Sequence, residues 1–354
     1  MSPVSLSFQN SLHGLLTWFL DPRSQTLDKE GAHRPAALAS HIASGYRELG
    51  KPPSPAGEAV SKTGRPYDRS RYIAEDGAYR KKIAELLDFA QKRLSPHLTH
   101  FFLHGSLATL DYAKGWSDVD TLLVLRDETV TDGKRLLEFR ALCLESWELF
   151  LKICPLQHHG FILSTQSELL RYPSHTMPPP VLEESLAILP GQGAVRFHVS
   201  PGEGGALRSL KERRDSLKEA LQDGVLRHHP KEGVYLETRY RNAQNGMGQL
   251  FALLGYVMTV PAFLMDALGS PCYKRDSFAR AKSIFSAGAW EIIEKSTAVR
   301  EEWGRRESTS YRGNAIPQWL QQLLGPDYIE ASHKFLEEAV TVAEKAPQPT
   351  GAKG

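Results

Sequence analysis

Cysteine is scarce in this chain of 354 residues. Cys143, Cys154 and Cys272 are odd in number and widely spaced, which excludes a disulfide framework and a Cys/His zinc site and reads as three buried thiols in a reducing compartment. Also missing are a Gly-x-Ser-x-Gly elbow, a Walker lysine loop and a His-Glu-x-x-His helix, so the common hydrolase, P-loop and zinc-protease chemistries have no anchor here. Charge of one sign is not in excess: 43 Lys and Arg stand against 41 Asp and Glu, a formal net charge of +2, too little for a nucleic-acid footprint or a membrane surface. The N-terminal stretch has no basic region ahead of its apolar run, which is broken by Asn10 and His13; it makes a poor signal peptide, and a cytoplasmic location is expected. The longest uncharged run, Met247 to Met265, contains Gly255 and Pro261 and is expected to be a buried helix broken at the proline, with no membrane span.

What is present is a run of helical patterns around a short stretch of strands. Leu12, Leu15, Leu16 and Phe19 recur at helical spacing and predict a helix ending before Pro22. Further helices are predicted from Ala36 to Leu49, from Ala78 to Leu94 and from Lys134 to Ile153, the last stopped by Pro155. The turn-rich segment through Gly64-Arg65-Pro66 reads as a loop. Prolines and glycines between Pro173 and Gly205 mark a long irregular stretch, and beyond it Ala206–Leu221, Val234–Val260, Asp276–Phe285, Trp290–Trp303 and Tyr328–Ala343 read as helical. The expected organisation is a helical and loop extension over residues 1–70, an α/β core over 71–200, a helical domain over 201–345 and a disordered tail over 346–354, together an α+β fold.

The informative stretch is Leu98 to Arg126. Phe101-Phe102-Leu103 is a short apolar run ending in His104-Gly105-Ser106, and about eleven residues later Ser117-Asp118-Val119-Asp120 opens a second run, Thr121 to Leu125. Both runs predict buried strands. Gly105 permits close backbone approach and Ser106 adds a hydroxyl, a pair suited to phosphate. Asp118 and Asp120 are two apart, so a strand places both carboxylates on one face, a site for a hard divalent cation carrying a nucleoside triphosphate. A third strand, parallel to or mixed with the second, is predicted over Leu156–Leu163 and offers Gln157, His158 and His159.

Gly105-Ser106 followed by Asp118-Val119-Asp120, with strands on both sides, resembles the nucleotidyltransferase superfamily of DNA polymerase β and the antibiotic nucleotidyltransferases, over roughly residues 98–163. The resemblance implies a small mixed-sheet core with flanking helices followed by a C-terminal helical bundle, with the active site in the cleft between them. It also implies transfer of a nucleoside monophosphate from a triphosphate, with release of pyrophosphate. Asp118 and Asp120 would hold magnesium, or manganese in its place, and Gly105, Ser106 and Ser117 would hold the nucleotide. The acceptor stays open: a small molecule, a second nucleotide, a protein side chain or an RNA end. Active members add a third carboxylate from the next strand, and none is evident here. Either His158 or His159 takes the acceptor's proton, or the chain binds nucleotide without turning it over, as a sensor or scaffold. Glu168, Glu183 and Glu184 follow that strand and none is favoured as a replacement. Tyr273, Lys274 and Arg275 form a second candidate cluster for base and triphosphate, with an ordinary solvated helix start as the competing reading. Arg239, Arg241 and Asn242, read on one helix, could face the cleft, and His228-His229 beside Pro230 reads as a solvated turn.

Overall fold

Antiparallel pairing of the two apolar runs builds the middle of the principal sheet. The computed structural model describes residues 3–22, 33–50, 54–55, 58–72, 77–157, 159–173, 179–200, 205–223, 225–228, 236–239, 247–306 and 315–346. By its internal contacts the chain divides into two units: Met1–Tyr172, Leu182–Ser200 and His229–Val234 in one, and Pro173–Val181, Pro201–His228 and Tyr235–Gly354 in the other. Mixed α/β structure with small sheets and many helices is the architecture of the described residues.

In the first unit the strands are β1 (Glu58–Lys62), β2 (Arg65–Pro66), β3 (Leu98–His104), β4 (Asp120–Leu125), β5 (Ile162–Thr165), β6 (Tyr172–Pro173, whose proline falls in the other unit), β7 (Leu186–Ala187) and β8 (Val195–Ser200). The principal sheet runs β2-β7-β3-β4-β5, with β3 and β4 antiparallel and β4 and β5 parallel. A second sheet runs β1-β8-β6. The helices are α1 (Pro3–Leu20), α2 (His33–Glu48), α3 (Gly77–Phe89), the short α4 (Gly105–Thr109) and α5 (Asp127–Val130), and α6 (Gly133–Ile153). The Asp132 side chain caps α6 by accepting from the Lys134 and Arg135 amides at 2.8 and 3.3 Å. One core joins these helices to the principal sheet, with Leu16, Ile42, Leu87, Phe101, Leu123 and Phe139 all fully buried in it. Both faces of β4 are covered after its first residue, so the strand reads as a continuous apolar run.

Three expectations need correction in this unit and the next. The segment through Gly64-Arg65-Pro66 is no loop: β1 pairs with β8, and β2 with β7. β1 and β2 are too polar or too short to announce themselves, and Gly64 lets the chain pass close to the sheet, since a Cβ there would lie 2.9 Å from Ser185 Oγ and 3.1 Å from Phe102. The third strand begins later than predicted, at Ile162, because the residues before it are held by side-chain hydrogen bonds outside the ladder. In the second unit Leu236–Arg239 is strand β10, paired with β9 (Val225–His228), so the helix predicted from Val234 starts only at Met247. Arg239 therefore sits in a strand and His228 in its partner, while His229, Arg241, Asn242 and residues 347–354 lie outside the described residues.

Among the described residues the second unit also holds helices α7 (Gly205–Asp223), α8 (Met247–Met258), α9 (Val260–Ala267), α10 (Lys274–Ala281), α11 (Ala287–Arg306), α12 (Gln318–Leu324) and α13 (Tyr328–Lys345). Its buried side chains include Leu210, Leu264, Trp303, Phe335 and Leu336. The uncharged run divides at Thr259, with Pro261 in the first turn of α9, where a missing amide costs nothing. Among the described residues no helix is long and apolar enough to cross a membrane. Cys143, Cys154 and Cys272 are buried free thiols.

Candidate metal centre

The site is built at one end of the principal sheet, where β3 stops and β4 starts. His104, the last residue of β3, pairs with Asp120, the first of β4. Gly105 follows with φ of 71°, and a Cβ on it would run into Asp120 Oδ2. Only glycine brings the backbone this near to the carboxylate. Ser106 lies in the first turn of α4 and is partly exposed. The return to β4 is a tight turn in which the Trp116 and Ser117 amides donate to Ala113 O at 3.1 and 2.8 Å. Ser117 Oγ accepts from the Ala113 amide at 2.9 Å and its residue is 4 % exposed, so this hydroxyl closes the turn. Val119 points into the core, and the alternation turns Asp118 and Asp120 outward together, each about a quarter exposed.

The third arm is the segment between α6 and β5. Gln157 is buried, and its amide bridges two backbone segments: Oε1 accepts from the Val119 amide at 2.8 Å, and Nε2 donates to His159 O at 2.8 Å and to Val119 O at 3.4 Å. This clamps the Asp-x-Asp segment to the histidine's backbone. His159 Nδ1 lies 2.8 Å from Gly160 O. A carbonyl only accepts, so Nδ1 carries the hydrogen and Nε2 is the atom turned to the carboxylates, 3.4 Å from Asp118 Oδ2 and 3.5 Å from Asp120 Oδ1. One ligand atom from each of Asp118, Asp120 and His159 lies within 4.8 Å of the others. Burial disfavours charge on His159, but hydrogen bonds and attraction from both aspartates outweigh it and push its pKa up to about 10.

The chain matches no protein-family model, no curated protein and no solved structure. Two carboxylate oxygens and an imidazole nitrogen at these separations fit a shared divalent cation, and the glycine-serine corner leaves backbone and hydroxyl groups beside it.

Of the residues singled out in the sequence, Gly105, Ser106, Asp118, Asp120 and His159 come together at this end of the sheet. His158 lies outside the described residues. Glu168 is engaged elsewhere: Oε1 pairs with His13 Nδ1 at 2.6 Å and accepts from Tyr46 OH at 3.2 Å, while Oε2 accepts from the Thr165 amide at 2.8 Å. Glu183 pairs with Lys62. Tyr273, Lys274 and Arg275 belong to the second unit, where Tyr273 precedes α10 and the Arg275 guanidinium sits 5.8 Å from its ring centre. Gln157 is the residue that sequence reasoning passed over as a site component. Its signal was a lone amide in an apolar segment, two residues before the histidine.

Proposed function

We propose that this protein is a metal-dependent nucleotidyltransferase, moving a nucleoside monophosphate from a triphosphate to an acceptor with release of pyrophosphate. The observation that carries the reading is the pairing of His104 with Asp120, which sets a glycine-serine corner against an outward-facing Asp-x-Asp. Asp118, Asp120 and His159 are the residues suited to hold the ion. A divalent cation there supplies neutralisation of the charge on the phosphates and on the departing pyrophosphate. In this reading the backbone at Gly105 and the Ser106 hydroxyl would receive the outer phosphates, beside the ion held by Asp118 and Asp120.

The expectation that a histidine accepts the acceptor's proton reduces, within the described residues, to His159. Its Nδ1 is tied to Gly160 O and its Nε2 faces two carboxylates, an orientation that suits holding an ion better than taking a proton from an acceptor. The missing third carboxylate favours a second reading, a nucleotide-binding protein without turnover. Incubation of the full chain with each triphosphate, magnesium or manganese and a panel of hydroxyl- and amine-bearing acceptors separates the two. Pyrophosphate release that falls about 10²–10³-fold in Asp118→Ala and Asp120→Ala supports the transferase. Tight binding with no pyrophosphate released under any metal supports the second reading.

A further inference from the structure

In a site of oxygens alone, the third ligand would be a carboxylate; here the atom in that place is nitrogen. His159 Nε2 stands 3.4 and 3.5 Å from one oxygen of each aspartate. Two ligand atoms bound to one ion at about 2.1 Å stand about 3–3.5 Å apart in octahedral or tetrahedral geometry, so both nitrogen–oxygen separations suit atoms that share an ion, and all three ligand atoms lie within 4.8 Å of one another. The ring is oriented as a ligating histidine requires, with its other nitrogen donating to a backbone carbonyl, Gly160 O at 2.8 Å. The backbone behind the site is linked as well, because Gln157 ties His159 O to Val119 between the two aspartates. Magnesium favours oxygen ligands and keeps its waters, whereas imidazole raises affinity for the later divalent ions from manganese towards zinc.

We propose that His159 is the third metal ligand, and that with Asp118 and Asp120 it makes this a site for a transition-metal dication in preference to magnesium. The inference rests on the proposed metal-dependent reading of the same site, and it replaces a base with a ligand. It carries no covalent step. Its consequence is that the nucleotide would be handled by an ion held through two carboxylates and one imidazole.

The experiment uses the full chain, stripped of metal and free of nucleotide. Calorimetric titration with manganese chloride and with magnesium chloride reads affinity, and pulsed electron paramagnetic resonance of bound Mn2+ reads coupling to an imidazole nitrogen. Expected for the wild type are binding of Mn2+ at least about tenfold tighter than Mg2+ and a clear nitrogen coupling. His159→Ala should abolish the coupling and weaken Mn2+ by about 10–100-fold, and His159→Asp, which restores an oxygen ligand, should bring the two ions to within about threefold. Circular dichroism melting checks each variant's fold; should His159→Ala not fold, the wild-type coupling and His159→Asp decide. Absence of nitrogen coupling in the wild type, no Mn2+ binding, or unchanged Mn2+ affinity in folded His159→Ala overturns the proposal. Because no nucleotide is present, a failed pyrophosphate assay leaves this result standing, and pyrophosphate release without nitrogen coupling rejects the ligand role alone.

Discussion

Gly105 is the residue on which the site's geometry turns. Its φ of 71° lies where side chains are strained, and a methyl group would enter the space of the Asp120 carboxylate. Gly105→Ala should lower stability by about 1–2 kcal/mol in urea unfolding and weaken Mn2+ binding in calorimetry by tenfold or more, because Asp120 must move away from its partners. Gln157 makes a different case, since it touches no expected ligand group with its side chain except through backbone. Gln157→Leu keeps the volume and leaves the buried Val119 amide without its 2.8 Å acceptor. A loss of about 1–3 kcal/mol is expected, with Mn2+ affinity falling as His159 and the aspartates lose their common anchor. Rescue of affinity, in part, by Gln157→Glu or Gln157→Asn would separate positioning from simple loss of packing. Gly105, Ser106, Asp118 and Asp120 were legible in the sequence because their spacing and flanking apolar runs are local patterns. Which nitrogen of His159 faces the aspartates was not: a histidine before a strand carries no mark of which nitrogen is tied, and that depends on the Gly160 carbonyl beside it.

Among the elements, α1 and α2 are tied to the end of β5 through one carboxylate. Glu168 is paired with His13 from α1 and Tyr46 from α2, and it accepts from the Thr165 amide at the end of β5. Burial works against its charge, but the attraction of His13 and the hydrogen bonds from His13, Thr165 and Tyr46 outweigh that and hold its pKa below the usual carboxylate value. A carboxylate held down in the folded state stabilises above the ordinary carboxylate range, and that contribution disappears as pH falls through the lowered value. Glu168→Ala is thus expected to cost about 3 kcal/mol near neutral pH. The gap between wild type and Glu168→Gln in urea unfolding should be wider at about pH 6 than at about pH 3. The long helices were readable from their apolar spacing, and β3 and β4 from theirs. β8 was missed although Val195, Phe197 and Val199 alternate, because the prolines and glycines ahead of it suggested an irregular chain. The two-residue strands β2 and β7 leave no period to detect; they exist only through their partners.

At the scale of the molecule, Asp118, Asp120 and His159 all belong to the first unit, so metal binding at the proposed site is expected to protect that unit. Hydrogen exchange followed by mass spectrometry with and without Mn2+ should show added protection over residues 98–125 and 155–165, with Ala287–Arg306 and Tyr328–Lys345 unchanged; equal protection of the helices in the second unit would contradict this. The first unit is also discontinuous in sequence. Its chain leaves after Tyr172 and returns at Leu182, and the returning segment covers the outer side of β3: Ala187 and Leu186 pair with Phe102 and Leu103, the Ile188 amide donates to Phe101 O at 2.9 Å, and Gln192 Oε1 accepts from the Phe101 amide at 3.1 Å. A fragment trimmed at Tyr172 would carry every proposed ligand yet bare a ribbon of phenylalanine-rich backbone ready to zip onto a neighbour's, so the shortest soluble piece that keeps the proposed ligands is expected to extend to Ser200.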